Sequence, residues 1–374
     1  MTDPSSIEIT LPPDPKPQRK RAGSFAWEVL PETDARGEPH VCCLVNNEVL
    51  PLDTRLTCRS TVEGLTARHP EGMRVLRRSA CFLLAMAAGR VAPKTFFKIR
   101  HSIADGFYFE SGGESIETVE SAMREIVAQD MPIQTASCAY DEAVALFEST
   151  GQADKLGLLE HINTPTVRIQ RCGEFTELMQ GPLAPRTGLL GVFRFIACGD
   201  GFILQLPSES DPSAVAGYRP RPELMREHRE HAAWGKRIGL ENIADLNAAV
   251  QSLGIGEIIQ LCEALHARNF AKIADEIASR APVPRLVLIA GPSSAGKTTS
   301  AKRLCINLRN NGFRPVMLST DDYYAGEGRY PLDDDGKPDY GYMTRFIQIQ
   351  QKLAIKNVAG WPAEQANKFK KRGK

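Results

Sequence analysis

The residues best suited to chemistry lie in the run Arg285-Leu-Val-Leu-Ile-Ala-Gly-Pro-Ser-Ser-Ala-Gly-Lys-Thr-Thr299. Within it Gly291, Pro292, Ser293, Ser294, Ala295, Gly296, Lys297 and Thr298 match G-x-x-x-x-G-K-[ST], a pattern suited to cradling phosphates. Gly291 and Gly296 let the backbone turn tightly, so that successive amide N–H groups converge on one concavity. A helix beginning near Gly296 and carrying Thr298 and Thr299 in its first turn adds unpaired donors and the positive end of its dipole. Lys297 supplies a mobile charge to the outer phosphates, and the Thr298 hydroxyl stands where it would ligate Mg²⁺. The expected chemistry is binding of ATP with Mg²⁺. A glycine-rich turn without a ligand is the competing reading.

A second candidate follows at Ser319-Thr-Asp-Asp-Tyr-Tyr324. A β-type run over residues 315–319 leads into it, and in parallel α/β sheets ligands sit beyond the carboxyl ends of the strands. Asp321 would then lie beside the phosphate loop, as a base, as a second Mg²⁺ ligand, or as both. Asp321 and Asp322 acting only as a helix or turn cap is the alternative.

These groups need a strand before the loop, a helix after it and a second strand. The apolar run 286–290, the spacing of Ala301, Leu304, Cys305 and Leu308, and the turn Asn311-Gly312 predict that βαβ order. Upstream, residues 223–280 read as helical, with Ile258, Leu261, Leu265, Ile273 and Ile277 at helical spacings, ended by Pro282 and Pro284. Helices are also expected over 71–88, 116–129 and 140–150, a strand near 96–101, and β-type runs across 41–52 and 167–206. A Pro-, Ser- and Asp-rich loop at 207–222 marks a boundary.

The run from Gly291 through Lys302-Arg303-Leu304 to Leu318-Ser-Thr-Asp-Asp-Tyr-Tyr324 resembles the uridine kinase/phosphoribulokinase family. More closely, the chain resembles the long form of that family, in which a kinase-like domain follows a threonyl-tRNA-synthetase-like region. The resemblance implies an α/β P-loop NTPase fold with an incomplete parallel sheet, preceded by α+β domains. It implies a kinase that passes the γ-phosphate of ATP to the 5′-hydroxyl of uridine or cytidine. Asp321 and Lys297 would be catalytic, Thr298 and Asp321 would hold the metal, and Tyr324 and Tyr323 would bind the nucleoside. Gly341 stands where that family expects an acid, leaving Asp339 as the substitute ribose contact.

Residues 25–60 resemble the small β-grasp module of threonyl-tRNA synthetases. The stretch from Gly72 to Pro207 resembles their editing domain, through Arg78-Ser-Ala-Cys-Phe82, Ala104-Asp-Gly-Phe-Tyr-Phe109 and Cys172-Gly-Glu-Phe175. That editing site depends on a His/Cys set, for which this chain has Arg78, Phe82, Met179 and Leu183. None of these serves as the required ligand or base. Cys172 reads as a buried thiol. His228 and His231, three apart on a charged helix, read as a solvated face. A catalytically incomplete protein that binds nucleotide, tRNA or a partner is therefore the alternative to the kinase, and an aminoacyl-tRNA editing hydrolase ranks behind both.

The implied organisation is a disordered leader (1–24), a β-grasp module (25–63), an editing-domain-like region (64–212), a helical linker (213–282), a kinase-like part (283–342) and a basic tail (343–374). The kinase pattern stops after Tyr340, which implies a truncated domain. The tail carries eight Lys or Arg against the single acid Glu364 and is expected to derive from a truncated or frameshifted gene, with a basic RNA-binding arm as the alternative. A formal net charge of +1 gives no general electrostatic reason to bind nucleic acid. No apolar run reaches membrane-spanning length, so no membrane partner is expected, while a homo-oligomer stays open. Nine cysteines without C-x-x-C spacing are expected as buried thiols in a reducing cytoplasm.

Overall fold

Ile7 and Ile9 alternate with polar residues, and this period of two makes the first strand. β1 (Ser6–Thr10) pairs antiparallel with β2 (Gln18–Arg21). Much of the stretch expected as a disordered leader is therefore a hairpin. Its polar, proline-rich composition hid a strand whose Ile9 is fully buried. The computed structural model describes residues 6–92, 97–103, 106–111, 115–199, 201–292 and 294–319, with 332–333, 339, 341–342, 344–345, 348–349 and 352. They fall into two compact units, Met1–Ser252 and Leu253–Lys374.

A one-turn helix, α1 (Ala26–Val29), follows, opened by the Phe25 N–H donating to the Glu28 carboxylate at 2.9 Å. β3 (Cys42–Val45) and β4 (Glu48–Leu50) form a hairpin around Asn46 and Asn47, whose φ angles of 49° and 68° suit its two-residue turn. With β5 (Ser60–Leu65) the sheet order is β2-β1-β5-β3-β4, and β1 and β5 run parallel. Neighbouring cysteines on β3 serve different cores. Cys43 packs with Ile9, Val29 and Val62, whereas Cys42 packs with Val41, Leu65 and Val75 of the next helix. Burial pushes both thiols up to about 12. All nine cysteines are free, but only Cys42, Cys43 and Cys172 are buried; Cys81, Cys138, Cys198 and Cys305 are half-buried and Cys58 and Cys262 exposed, so the expectation of buried thiols holds for three.

The second layer begins with α2 (Pro70–Val91). It is capped by the His69 ring, which accepts the Glu71 N–H at 3.2 Å, and has proline in its first turn. β6 (Phe97–Ile103) and β7 (Gly106–Ser111) form a hairpin, and α3 (Ile116–Gln129) runs from a Ser115 cap to Asp130 in left-handed conformation. Three strands, β8 (Gln134–Ala139), β9 (Thr166–Cys172) and β10 (Phe175–Leu178), make an antiparallel sheet in the order β10-β9-β8. Between β8 and β9 lie α4 (Tyr140–Ser149) and α5 (Ala153–Leu159), which bury Phe147 and Leu159 against Ile169. β11 (Arg194–Cys198) and β12 (Gly201–Gln205) complete a sheet in the order β11-β12-β7-β6.

Both faces of that four-stranded sheet are covered, and adjacent residues show how. Leu204 and Phe109 face α2 and α3 in the largest core, with Leu83, Met123 and Ile126. Ile203 and Tyr108 face the other way, onto Met225 of α6 (Pro222–Ile238). The helical stretch expected over 223–280 is three helices, α6, α7 (Ile243–Leu253) and α8 (Ile255–Ser279). The breaks fall where Gly239 and Gly254 take φ of 71° and 85°, conformations that L side chains rarely adopt.

In the second unit α8 packs on α9 (Lys297–Asn310) through Phe270, Ala274, Leu304 and Leu308. The Asn311 amide donates to the Asp275 carboxylate at 2.8 Å, and Arg303 meets His266 at 3.1 Å. The expected parallel sheet is not formed among the described residues. Neither 285–290 nor 313–319 joins a ladder. Their apolar side chains stand in the open, Leu288 at 82% and Leu318 at 72% exposure. Continuous apolar strands are stable only when paired and covered on both faces, and no described strand of this unit pairs with them. Among the described residues the fold is therefore α+β in the first unit and helical in the second, where α8 packs on α9 behind a phosphate-type loop, and the expected P-loop NTPase sheet finds no support there. No described helix is long and apolar enough to cross a membrane.

Candidate functional site

On α2, Arg78 and Phe82 are four residues apart and share one face. Opposite them runs the loop after β10, from Met179 to Ala184. Three hydrogen bonds clamp that loop. Arg78 Nη1 donates to the Pro182 carbonyl at 3.0 Å, Gln170 Nε2 donates to the Gly181 carbonyl at 2.9 Å, and the Ala184 N–H donates to Ser79 Oγ at 2.8 Å. Ser79 itself donates to the Val75 carbonyl at 2.8 Å, so its hydroxyl bridges helix and loop inside the core. Gly181 has φ of 147° and lies so close to the Arg78 guanidinium that an added Cβ would stand 2.7 Å from it.

The four positions that differ from the editing set are thus filled in a definite way. Phe82 and Leu183 are buried in the same apolar core as Cys172, and Phe82 meets Phe175 edge-on at 5.1 Å. Arg78 is half-buried, and burial lowers its guanidinium from the ordinary value, with the neighbouring Arg74 charge acting in the same direction. Met179 is half-buried, its N–H bonded to the Arg168 carbonyl at 3.0 Å. Burial pushes the Cys172 thiol up, which makes it a poor nucleophile and a poor metal ligand. The residues do not fit a zinc ion, and no group of three His, Cys, Asp or Glu suited to a metal occurs among the described residues. Ser79 and Gln170 escaped the sequence reading because a serine in a helix and a glutamine in a strand carry no signal of what they will clamp.

His228 departs from its expectation as a solvated residue. Its ring packs at 4.5 Å from that of His101 and 5.3 Å from that of Tyr108, and its Nε2 is buried without a hydrogen-bond partner. His231 stacks on Trp234 instead.

The phosphate-type loop has the backbone its residues call for. Ser294 and Gly296 take φ of 61° and 75°, Ala295 N–H closes a turn onto the Pro292 carbonyl at 3.3 Å, and Gly296 caps α9. Lys297 Nζ folds back across the loop to the Pro292 carbonyl at 2.6 Å. Gly291 lies beneath the lysine stem, and Thr298 and Thr299 open the helix. Ser293, Asp321, Tyr323 and Tyr324 lie outside the described residues. Asp339 Oδ1 accepts the Tyr342 N–H at 2.8 Å, a local turn rather than a described contact with the loop.

No family model matches the chain. Among curated proteins it is similar to threonine–tRNA ligases. That of Methylococcus capsulatus is 30% identical over 214 residues, which are 52% of this chain and 33% of that protein. That of Nitratidesulfovibrio vulgaris is 32% identical over 149 residues, 38% of this chain and 23% of its own length. A 26% identity to the Pelobacter propionicus ligase extends over 258 residues, 64% of this chain and 40% of that protein. The chain thus spans about a third of the length of the curated relatives it matches, and it contains a threonyl-tRNA-synthetase-like region. The relatives are ligases by name, and they overturn the uridine or cytidine kinase reading, for which the described residues of the second unit form no parallel sheet. The nucleoside substrate falls with it, while the roles expected of Asp321 and Lys297 are not tested by these comparisons.

Proposed function

We propose that the chain binds tRNA through its threonyl-tRNA-synthetase-like region without cleaving an aminoacyl ester. The observation that carries this reading is how the editing-type positions are filled, with Phe82 and Leu183 buried in the core and Arg78 bonded to the Pro182 carbonyl. Ester hydrolysis needs a group that activates water, either a metal or a base with a titratable proton. A phenyl ring, a leucine and a guanidinium supply neither. What these positions retain is a rigid clamp and a fixed positive charge, which suits a phosphate or a terminal ribose contact.

Fluorescence anisotropy of labelled tRNA with the full chain tests the reading. Binding that weakens steeply between about 50 and 200 mM salt is expected. Arg78→Gln should weaken it severalfold, whereas no binding at low salt would sink the proposal.

The loop geometry favours a second, separate site. In this reading Gly291, Pro292, Ser293, Ser294, Ala295, Gly296, Lys297 and Thr299 take the phosphates of ATP, and Thr298 holds Mg²⁺. What supports it is the positive φ of Ser294 and Gly296, a backbone that suits an anion-binding turn, and Lys297 reaching back to the Pro292 carbonyl. Calorimetry with ATP and Mg²⁺ should show binding without turnover, abolished in Lys297→Ala. Equal binding by that variant would remove the site.

A further inference from the structure

A cavity of about 230 Å³ lies inside the first unit, where residues 38–41 and 67–68, α2 and the segments 189–192 and 206–213 converge. Much of its wall is apolar, including Leu76, Leu190 and Leu206. Three charged side chains also line it, Glu38, Arg68 and Arg77, and their pairing is incomplete. Arg68 Nε donates to Glu38 Oε1 at 2.5 Å, yet Glu38 Oε2 is buried with no hydrogen-bond partner. Arg77 Nη2 donates to the Pro207 carbonyl at 3.1 Å, yet Arg77 Nε is buried with no partner.

Buried polar atoms of native proteins nearly always have partners, so each exception calls for an explanation. Here an unsatisfied acceptor and an unsatisfied donor, of opposite charge, belong to side chains lining the same apolar cavity. The volume exceeds that of an engineered apolar cavity of about 150 Å³ that takes up benzene. A ligand that satisfies all three features carries an ammonium, a carboxylate and a compact apolar body. The terminal torsion of a glutamate is broad and soft, so Glu38 reaches such a ligand by turning its carboxylate. The planar fork of an arginine suits a carboxylate.

We propose that this cavity is a binding site for a small zwitterion with an aliphatic body, the class to which leucine, isoleucine and valine belong. The ammonium pairs with Glu38, the carboxylate with Arg77 and Arg68, and the side chain rests on Leu76, Leu190 and Leu206. The site is separate from the Arg78 clamp and does not depend on tRNA binding.

The test is thermal unfolding and calorimetry of the full chain with L-leucine, L-isoleucine and L-valine. Isoamylamine and isocaproate serve as controls that lack the carboxylate and the ammonium. At least one amino acid should raise the unfolding temperature in a concentration-dependent way, and neither control should match it. Arg77→Met and Glu38→Gln should each weaken binding about tenfold or more. Ala67→Leu, which keeps all three charges and narrows the cavity, guards against a variant that merely fails to fold, and it too should weaken binding. Absence of any shift with all three amino acids overturns the proposal. So does an equal shift with either control, or unchanged affinity in Ala67→Leu together with either charge variant.

Discussion

The loop clamped by Arg78 and the Gly291–Thr298 loop differ in opposite ways from the sites they resemble. Around the clamped loop the architecture is complete. α2, α3 and the four-stranded sheet share one large core, and Ser79, Gln170 and Arg78 clamp the loop that should carry ligands. The ligand set that the resemblance calls for is not there, since Phe82 and Leu183 lie in that core. At the Gly291–Thr298 loop Ser294 and Gly296 keep positive φ and α9 starts at Lys297, but the flanking runs 285–290 and 313–319 form no described ladder. A fold tolerates changed residues at a site because packing depends on many residues and catalysis on few. A short motif likewise holds its local geometry without a complete domain around it, because positive-φ turns and a helix start are local.

The sharpest way to break this comparison is a pair of truncations. Leu204→Ala, in the covered sheet, removes a fully buried side chain and should cost about 2–5 kcal/mol of unfolding free energy. Leu288→Ala, at 82% exposure, should stay within about 0.5 kcal/mol of the parent. Denaturant titration of both variants decides it, and a large loss in Leu288→Ala would mean that the second unit does bury its apolar run.

A smaller effect probes the clamp. Ser79→Ala strands the buried Ala184 N–H, an expected cost of about 1–3 kcal/mol. Amide exchange at Ala184 should accelerate more than at Ile203, which lies away from the loop. Equal acceleration at both would show a global effect in place of a local one.

These contrasts also explain what the sequence made legible. The helical spacing of Val75, Leu76, Leu83 and Ala87 and the start of α3 at Ile116 are local patterns, and the helices lie close to where they point. Strand pairing is not local. The run Leu286–Ile289 reads as a strand from its residues alone, whereas β1 and β2 lay hidden in a polar, proline-rich stretch. Missing ligands at Arg78, Phe82, Met179 and Leu183 were visible in the sequence. The Ser79 bridge and the Glu38–Arg77 cavity were not, because they join residues far apart in the chain.

The smallest predicted effect is electrostatic. Burial depresses the His228 pKa below its ordinary 6.5, with the charge of His101 next in importance, then attraction from Glu110 and repulsion from Arg100 and His231. The folded state therefore favours the neutral ring. Its contribution is complete above pH 6.5 and is lost as pH falls through the depressed value. Thermal midpoints should fall from pH 7.5 to pH 5.5, and His228→Leu should flatten that slope. An unchanged slope would place the acid sensitivity elsewhere.

The central claim, retention of a tRNA-binding fold after loss of ester hydrolysis, is tested most directly by one single-turnover measurement. Threonyl- and seryl-tRNA are incubated with saturating full-length protein, and bound fraction and ester lifetime are read from the same samples. Binding with an ester lifetime equal to that in buffer is expected. Protein-accelerated hydrolysis, or no binding of either tRNA, would contradict it.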